Sequence, residues 1–396
     1  MTIEKGSSPA LFLLGTLETG GSEAKFVRLA QRLTRKGHSI HVAYLGPPET
    51  LLENLESVHS VNLGRKGKWS LRAFRALSAY VERHCISSIV TVNVYPLSYA
   101  VPLNIFRRKS KVSVIASINT SEILSPRERA FMRIYVPLLK RCEQIIFGSE
   151  RQAQDWLKIY GLPEQRSQVI YNGVDAKVFD VNVVADSRVK IRTFLGIPDE
   201  ASVIVCVSRL RPEKAHCNLL QAVAAMDKTH DLRPHVVLVG DGAERSAIIN
   251  LAEQLGITDR LHMVGSTSDV RPYLKASDIF ALTSIAVETF SNAALEAAAM
   301  GLPVVISDVG GAFEMFPEGS GGTIYPRDDI ESLVEALASN IRRVQSGSND
   351  VQEIRHGVLR RFSSDAMDSA WTETIWKQGR YEKTSADSTT ADTGAH

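Results

Sequence analysis

Short runs of apolar residues alternate with helix-length segments along nearly the whole chain. The helical segments include Ser22–Lys36 and Ser70–His84. The apolar runs do not alternate with polar residues, as is expected of strands that helices cover on both faces. They read ALFLLG, SIHVAYL, SSIVTVNV, KVSVIASI, EQIIFGS and SQVIYNG in the first half, and VIVCVSRL, HVVLVGDG, RLHMVGS, DIFALTS and PVVISDVGG in the second. This order predicts an α/β fold with two Rossmann-like, doubly wound parallel sheets.

Length and polarity together predict two domains of similar size. The chain has 396 residues, more than one hydrophobic core usually serves. A polar stretch around residues 180–188 separates the two sets of strands, and a helix over Val189–Leu195 leads into the second set. We therefore expect an N-terminal domain over residues 1–182 and a C-terminal domain over residues 183–362.

The C-terminal end of the chain divides into a helical segment and a polar tail. Residues 363–380 include Trp371 and Trp376 in a helical pattern. Residues 383–396 are rich in Ser, Thr, Ala and Asp and contain no large apolar side chain. Such a composition does not bury enough surface to become ordered, so we predict a disordered tail.

The composition narrows the class of protein. A chain that is 44% hydrophobic and 23% charged, with a formal net charge of +2, indicates a globular protein and gives no reason to expect nucleic acid as a partner. No apolar run approaches the roughly 20 residues of a membrane span, and the N-terminus lacks the pattern of a secretory signal. The four cysteines, Cys85, Cys142, Cys206 and Cys217, are scattered without metal-ligand spacing. These features fit a reduced, cytoplasmic protein without a structural metal.

Two carboxylates stand out in the stretch TSIAVETFSNAALEAAAMGLPVVISDVGG, at Glu288 and Glu296. Ser291 and Asn292 are good N-cap residues, and strong helix formers follow them. We therefore expect Glu288 in a loop and Glu296 about one turn inside a helix. The backbone N–H groups near Phe290 would make that helix end favourable for a phosphate. Two solvated surface glutamates are the alternative for any pair at this spacing.

Cations and glycines follow other strand ends. Arg209 and Lys214 come just past the end of the buried strand VIVCV, where they suit the charge of a diphosphate leaving group. Gly20 and Gly21 follow the first strand and precede a helix, an arrangement that lets an anionic ligand approach the backbone. Solvated cations and a tight strand-to-helix turn are the structural alternatives.

These motifs together resemble the family 4 retaining glycosyltransferases, which have the GT-B fold. The glutamate pair resembles the E-x7-E signature of that family, and GGSE resembles its GG-x-E opening with Glu23 in the acidic place. SRLRPEKA resembles its G-R-x(n)-K-G pattern, with Ser208 and Ala215 in place of the two glycines. The segment LVGDGAER is similar to the family's VGDGPER, and the resemblance extends over roughly residues 10–380.

The resemblance implies sugar transfer from a nucleotide-diphosphate sugar, carrying UDP or GDP, with retention at the anomeric carbon. The implied catalytic residues are Glu288, Arg209 and Lys214. The implied donor-binding residues are Gly20, Gly21, Asn119, Gly265, Phe290, Ser291, Asn292 and Glu296. Among these, Glu288 would contact the sugar, Glu296 the ribose hydroxyls, and the loop at Gly265 the base. No D-x-D string occurs in the chain, so we expect no metal and no cofactor beyond the nucleotide sugar.

Asn119 departs from the family pattern. Many members carry a histidine at the end of the strand that corresponds to KVSVIASIN, close to the transferred sugar. The departure permits one alternative, a nucleotide-sugar-binding scaffold with weak catalysis. A second alternative, which does not depend on Asn119, is a GT-B-like enzyme that epimerises nucleotide sugars. A glucan phosphorylase is a third possibility, but it would usually require a cofactor lysine and a longer chain.

The acceptor is predicted to be a glycan or a polyprenyl- or lipid-linked molecule, as in the synthesis of surface polysaccharides or glycolipids. The segments KWSLRAFRALSAYVERH and RERAFMRIYVPLLKR are basic and partly amphipathic, which suits the headgroup region of an anionic membrane. Peripheral association with the inner face of the membrane follows as an expectation. Solvated helix faces over an apolar stripe are the alternative.

Overall fold

A computed structural model describes residues 8–18, 20–106, 111–123 and 125–376 of the chain. The predicted tail at residues 383–396 lies outside the described residues. Within them, the chain forms two separate parallel β-sheets, each flanked by helices. The predicted α/β architecture with two Rossmann-like sheets is confirmed.

The first sheet is built from the N-terminal half of the chain. Its strands are β1 (Ala10–Leu14), β2 (Ile40–Tyr44), β3 (His59–Asn62), β4 (Ser88–Val92), β5 (Ser113–Ile118), β6 (Gln144–Phe147) and β7 (Ser167–Val169). Its helices are α1 (Gly21–Arg35), α2 (Leu71–Arg83), α3 (Leu97–Phe106), α4 (Pro126–Leu139) and α5 (Glu150–Tyr160). The strand order is β3-β2-β1-β4-β5-β6-β7, and all neighbouring pairs are parallel.

The second sheet repeats this order with six strands in the described part of the chain. Its strands are β8 (Val203–Val207), β9 (His235–Val239), β10 (Leu261–Gly265), β11 (Ile279–Leu282), β12 (Val304–Ser307) and β13 (Gly322–Tyr325). The helices from here to residue 376 are α6 (Ser187–Leu195), α7 (His216–Thr229), α8 (Arg245–Leu255), α9 (Arg271–Ala276), α10 (Asn292–Ala299), α11 (Ala312–Met315), α12 (Ile330–Gln345), α13 (Val351–Arg361) and α14 (Ser364–Trp376). The order is β10-β9-β8-β11-β12-β13.

Strand order fixes where a ligand can bind. In each sheet the order reverses next to the first strand, between β1 and β4 and between β8 and β11. Loops diverge at such a point, so a crevice opens beyond the carboxyl ends of the strands. The predicted site residues follow β1, β5, β8, β10 and β11, so they lie at these carboxyl edges.

The hydrophobic core explains which strands the apolar runs identified. Strands β1, β2 and β4 are buried along their whole length, as continuous apolar runs predict. Strands β3 and β13 were not predicted, and both lie at the edge of a sheet. Edge strands need fewer apolar residues because one side has no neighbouring strand, and β3 is mostly exposed.

The C-terminal helix α14 returns to the N-terminal domain and packs against α1. The ring of Trp371 meets that of Phe26 edge to face at 5.3 Å between centroids. Asp368 is buried and accepts charge-assisted hydrogen bonds from Arg32 at 2.8 Å and Lys36 at 2.8 Å. The apolar contact and the ion pairs together hold α14 on α1.

The connection between the sheets lies between Val169 and Val203, and the boundary predicted at residues 182 and 183 falls within it. Arg355 of α13 fastens this connection, because its guanidinium donates to the carbonyls of Ala176, Phe179 and Ala299. The exact domain boundary stays a prediction.

No helix in the described part of the chain is long and apolar enough to cross a membrane.

Candidate active site

Gly20 and Arg209 face each other across the cleft between the two sheets. Gly20 lies in the loop between β1 and α1, and Arg209 follows β8. A Cβ atom on Gly20 would lie 3.5 Å from Nη2 of Arg209. Nη1 of Arg209 also lies 3.3 Å from a carboxylate oxygen of Glu18, in the same loop as Gly20. Gly21 begins α1 and has open space where a side chain would extend.

Lys214 and Glu288 form an ion pair on the side of the cleft that the C-terminal domain provides. This side is called the C-terminal wall below, and the side that the N-terminal domain provides is called the N-terminal wall. Nζ of Lys214 lies 2.6 Å from Oε2 of Glu288, and each side chain is only 16% exposed. Ser284 Oγ lies 3.4 Å from the same carboxylate oxygen. Thr283, just after β11, donates its hydroxyl to the carbonyl oxygen of Lys214 at 3.0 Å. Two predicted catalytic residues that lie 74 positions apart in the chain are therefore in direct contact.

The two small residues that replace family glycines have different environments. Ala215 has a φ of +46°, in the left-handed region that favours glycine, so its side chain carries a small strain. Ser208 uses its hydroxyl instead, which lies 2.8 Å from Nε2 of His216 at the start of α7. Burial lowers the pKa of His216 to about 4, with Lys214 adding to the effect. A neutral histidine therefore holds the loop that carries Arg209 and Lys214.

The helix that follows Glu288 begins as the sequence predicts. Ser291 is the N-cap of α10 and accepts a hydrogen bond from the backbone N–H of Ala294 at 3.2 Å. Asn292 is the first helical residue, so its backbone N–H lies at the end that favours anions. Phe290 is only 3% exposed and packs against Tyr171, so its side chain belongs to the core and is not available to a ligand.

Glu296 does not lie with the Lys214 pair. It lies one turn inside α10, and burial raises the pKa of its carboxyl group, an effect that Arg28 opposes. Nη1 of Arg28, on α1 of the other domain, lies 3.6 Å from Oε1 of Glu296. The two glutamates of the E-x7-E pattern are therefore held by cations from different walls of the cleft.

Glycines after β9 and β10 have two distinct roles. Gly240 and Gly242 leave no room for a side chain, because a Cβ atom on either would collide with the carbonyl of Ser208 or Leu210. These positions explain the glycines of LVGDGAER by packing between two loops, without a dinucleotide. Gly265 ends strand β10 with a φ of +82° and has open space beside it. It lies at the edge of the sheet, apart from the Lys214 pair.

Asn119 lies at the end of β5 in the N-terminal wall, where its side chain is held on both sides. Its Oδ1 accepts from Nζ of Lys25 at 2.5 Å, and its Nδ2 donates to the backbone carbonyl of Ser117 at 3.2 Å. Sequence reasoning missed Lys25. The signal was a lysine one turn before Leu29, on the inward face of an amphipathic helix.

Glu314, in the segment that follows β12, makes a structural contact between the domains. Its carboxylate accepts from the backbone N–H groups of Glu150 at 2.8 Å and Arg151 at 3.0 Å, the first residues of α5. A carboxylate at a helix N-terminus is stabilised by the unpaired N–H groups there. Arg151 also pairs with Asp308 at 2.5 Å. These contacts join the two walls beside the cleft.

Cys206 is buried in β8, and burial raises its pKa to about 11, as befits an inert structural thiol. Among the described residues, no group of three or more histidine, cysteine, aspartate or glutamate side chains is placed to hold a metal ion.

Solved structures with the same architecture include glycosyltransferases. The Anabaena protein Alr3699/HepE, solved in complex with UDP and glucose, superposes with a TM-score of 0.81 at 21% identity. The match covers 93% of this chain and 99% of that one. The two facing Rossmann-like domains are therefore a GT-B fold.

Sequence comparisons match each half of the chain to a family of glycosyltransferases. The family described as "Glycosyltransferase Family 4" matches residues 19–178, and "Glycosyl transferases group 1" matches residues 187–345. An uncharacterized glycosyltransferase of Methanocaldococcus jannaschii is 27% identical over 83% of this chain and 85% of its own length. The N-acetyl-alpha-D-glucosaminyl L-malate synthase of Bacillus anthracis is 22% identical over 90% of this chain and 93% of its own. The chain belongs to glycosyltransferase family 4 and is an enzyme that transfers sugars.

Proposed function

We propose that the protein transfers a sugar from a UDP- or GDP-sugar to an acceptor and retains the configuration at the anomeric carbon. The observation that carries the proposal is the contact between Lys214 and Glu288 at 2.6 Å. It places a cation and a carboxylate side by side at the carboxyl edge of the second sheet. A diphosphate leaving group needs the cation, and a sugar ring that becomes positively charged needs the carboxylate.

The leaving diphosphate would meet three sources of positive potential. Arg209 and Lys214 extend from the loop after β8, and the N-terminus of α10 at Asn292 adds its backbone N–H groups. Preorganised donors of this kind act on charge as it develops, and removing one typically lowers kcat by roughly 10²–10³-fold. The guanidinium of Arg209 lies next to Gly20 of the N-terminal wall. It could therefore contact a donor that is enclosed between the two domains.

The remaining donor contacts follow from position. Glu296, which lies one turn inside α10 with its side chain 13% exposed, would accept hydrogen bonds from the ribose hydroxyls. The loop at Gly265 has the open space that a flat base requires. Glu288 would contact the sugar hydroxyls. In the retaining mechanism proposed here, the departing phosphate takes the proton of the acceptor hydroxyl, so no enzymic nucleophile is needed.

The acceptor is proposed to be a glycan or a lipid-linked molecule at the inner face of the membrane. Trp69 and Leu71, which flank the N-cap of α2, are 51% and 63% exposed, and the exposed Lys66 lies three residues before Trp69 in the chain. Exposed apolar side chains among cations suit an anionic lipid surface. Flotation with vesicles of phosphatidylglycerol tests the membrane contact, and Trp69→Ser with Leu71→Ser should weaken it.

Two other activities compete with transfer, an epimerase acting on nucleotide sugars and a scaffold that binds them without turnover. The experiment that separates them incubates the protein with UDP- and GDP-sugars, with and without lipid extract and L-malate, and follows nucleotide release. Release that depends on an acceptor supports transfer, and NMR of the product then assigns the anomeric configuration. Interconversion of the sugar without release identifies an epimerase.

The matched variants are Glu288→Gln and Glu253→Gln. Glu253 is an exposed residue of α8, so its variant should keep full activity. Glu288→Gln should lose most of the turnover and retain nucleotide binding. If it changes neither turnover nor affinity, the proposed site is wrong. Activity in the presence of EDTA tests the expectation that the reaction needs no metal.

A further inference from the structure

The ammonium group of Lys25 is buried in the N-terminal wall of the cleft. Its side chain is only 7% exposed, and its Nζ lies 2.5 Å from Oδ1 of Asn119 and 5.0 Å from the centroid of the Phe26 ring. Among the described residues, no carboxylate makes an ion pair with it. The buried cation therefore has a neutral amide as its polar partner.

The ammonium group of Lys25 has more hydrogen-bond donors than Asn119 accepts. A lysine ammonium has three donors, and Asn119 accepts one of them. In the part of the chain that the structure describes, no other acceptor bonds to Nζ of Lys25. The amide of Asn119 is itself fixed, because it donates to Ser117 and its backbone N–H donates to Asn93. Asn119 thus holds the ammonium in place without balancing its charge.

Burial of an unpaired charge is unfavourable, and Lys25 shows its consequence. Desolvation lowers the pKa of Lys25 to about 8, and the nearby carboxylate of Glu23 opposes this only in part. A buried charge that the protein leaves unbalanced is balanced at low cost when a ligand brings the opposite charge. The surroundings of the Lys25 ammonium therefore favour an anionic ligand.

The location of Lys25 indicates which substrate would supply the anion. Lys25 lies on α1, directly after the loop of β1, and Asn119 follows β5, so both are on the N-terminal side of the cleft. The donor diphosphate already has Arg209 and Lys214 on the opposite side. We propose that Lys25 binds an anionic group of the acceptor, a phosphate or a carboxylate. This inference rests on the proposed function, since it requires an acceptor bound against the N-terminal wall.

The charged groups around Lys25 leave it available for this role. Glu23, on the same helix, is the carboxylate that acts on it, and Glu23 in turn faces Arg209 and Arg211 from the other domain and Glu18 from its own. The groups that β4 and β5 bring near Lys25 are neutral amides and a hydroxyl. Because Lys25 is protonated below about pH 8, its affinity for an anion should fall as the pH rises above that value.

Binding measurements with Lys25→Met test the proposal. The probes are L-malate, inorganic phosphate and vesicles that contain undecaprenyl phosphate, each titrated by calorimetry or flotation in the presence of UDP or GDP. At least one probe should bind the wild type about tenfold or more tightly than the variant, which lacks a charge-assisted hydrogen bond. The vesicle arm separates a lipid-linked anion from a soluble one. Lys158→Met, an exposed position on α5, should bind as the wild type does.

Three results would overturn the inference. One is that no probe distinguishes the wild type from Lys25→Met. The second is that Lys25→Met weakens nucleotide binding about as much, because Lys25 would then serve the donor. The third is a clear loss of thermal stability relative to Lys158→Met, which would make Lys25 structural; removing an unpaired buried charge should leave stability equal or higher. Absence of nucleotide binding in the wild type would instead contradict the proposed function.

Asn119→Asp gives an independent check that keeps the lysine. The new carboxylate would lie beside Nζ of Lys25 and balance its charge, so the anion probes should bind about tenfold more weakly even though the ammonium remains. In the wild type the dissociation constant should also rise above pH 8, and in Lys25→Met it should stay flat. Unchanged anion affinity in Asn119→Asp would contradict the proposal.

Discussion

The two walls of the cleft balance their charges in different ways. In the C-terminal wall, Lys214 and Glu288 neutralise each other at 2.6 Å. In the N-terminal wall, Lys25 has only the amide of Asn119 for a partner. The wall proposed to bind the donor therefore has its charges paired, and the wall proposed to bind the acceptor leaves a charge for a ligand to match.

The largest effects should appear in stability, through an aspartate in each domain that pairs with two cations. Asp278 accepts from Arg188 and Arg192 and from the backbone N–H of Val203. Arg192 is 1% exposed, so Asp278→Ala should leave a buried guanidinium without its charge partner and destabilise the protein by roughly 3–5 kcal/mol. Chemical denaturation of the variant and the wild type measures this difference.

Asp368→Ala is the corresponding change in the N-terminal domain, and it should cost less. Its partners Arg32 and Lys36 are 15% and 43% exposed, so water can solvate them after the carboxylate is removed. We also expect α14 to detach from α1 more readily, which limited proteolysis would detect. Equal destabilisation by the two substitutions would show that exposure of the partners does not govern the cost.

Turnover should be the next largest effect and should depend on the C-terminal wall. Lys214→Met is expected to lower kcat by roughly 10²–10³-fold, because it removes a preorganised cation from the leaving group. The double variant with Glu288→Gln should be less than additive, since the two side chains act as one pair. Additive losses in steady-state kinetics would mean that the two residues act separately.

Arg211→Met is the matched control for that measurement. Arg211 lies in the same loop, is about half exposed, and pairs with Glu213 at 3.8 Å. Arg211→Met should change kcat little. A large decrease in kcat for this variant would show that the effect of Lys214→Met is not specific to Lys214 within the loop.

The comparison of the walls also shows how far the sequence could predict the site. Glu288, Lys214 and Ser291 were found because each follows a strongly apolar strand, and strand ends of a parallel sheet converge. Lys25 was missed because a charged residue on a helix is normally solvated, and only the packing of α1 buries it. Strands β3 and β13 were missed because edge strands carry a weak apolar signal. The contact of Glu314 with α5 joins distant segments, which local patterns do not encode.

Acid should destabilise the C-terminal domain through His216. Its pKa is lowered from 6.5 to about 4 by burial, so the folded protein holds it neutral. The unfolded chain binds a proton as the pH falls below about 6.5, and the folded chain does so only near pH 4, so stability is full above pH 6.5 and declines between these values. Between pH 7 and pH 5 the loss from this histidine is on the order of 2 kcal/mol.

His216→Gln should remove that part of the pH dependence. Glutamine can still hydrogen-bond to the hydroxyl of Ser208, so the comparison isolates the proton. Urea midpoints measured at both pH values for the wild type and the variant give the difference. In the N-terminal domain, burial lowers the pKa of His41 to about 4 as well, with His59 and His84 adding to the effect. His41→Gln should therefore show the same direction, and a pH dependence unchanged by either substitution would rule out both histidines as its source.

The smallest effect should come from the ion pairs that cross the cleft. Arg28 lies 3.6 Å from Glu296, and Glu18 lies 3.3 Å from Arg209, so each pairs with a residue proposed to bind the donor. Arg28 and Glu18 are 47% and 49% exposed, and pairs of that kind contribute about 0.2–1 kcal/mol. If these contacts compete with the nucleotide, Arg28→Met and Glu18→Gln should each tighten UDP or GDP binding by up to about fivefold, and added salt should reduce the gain. Weaker nucleotide binding in Arg28→Met would instead make Arg28 a donor ligand, and the N-terminal wall would then share in holding the nucleotide.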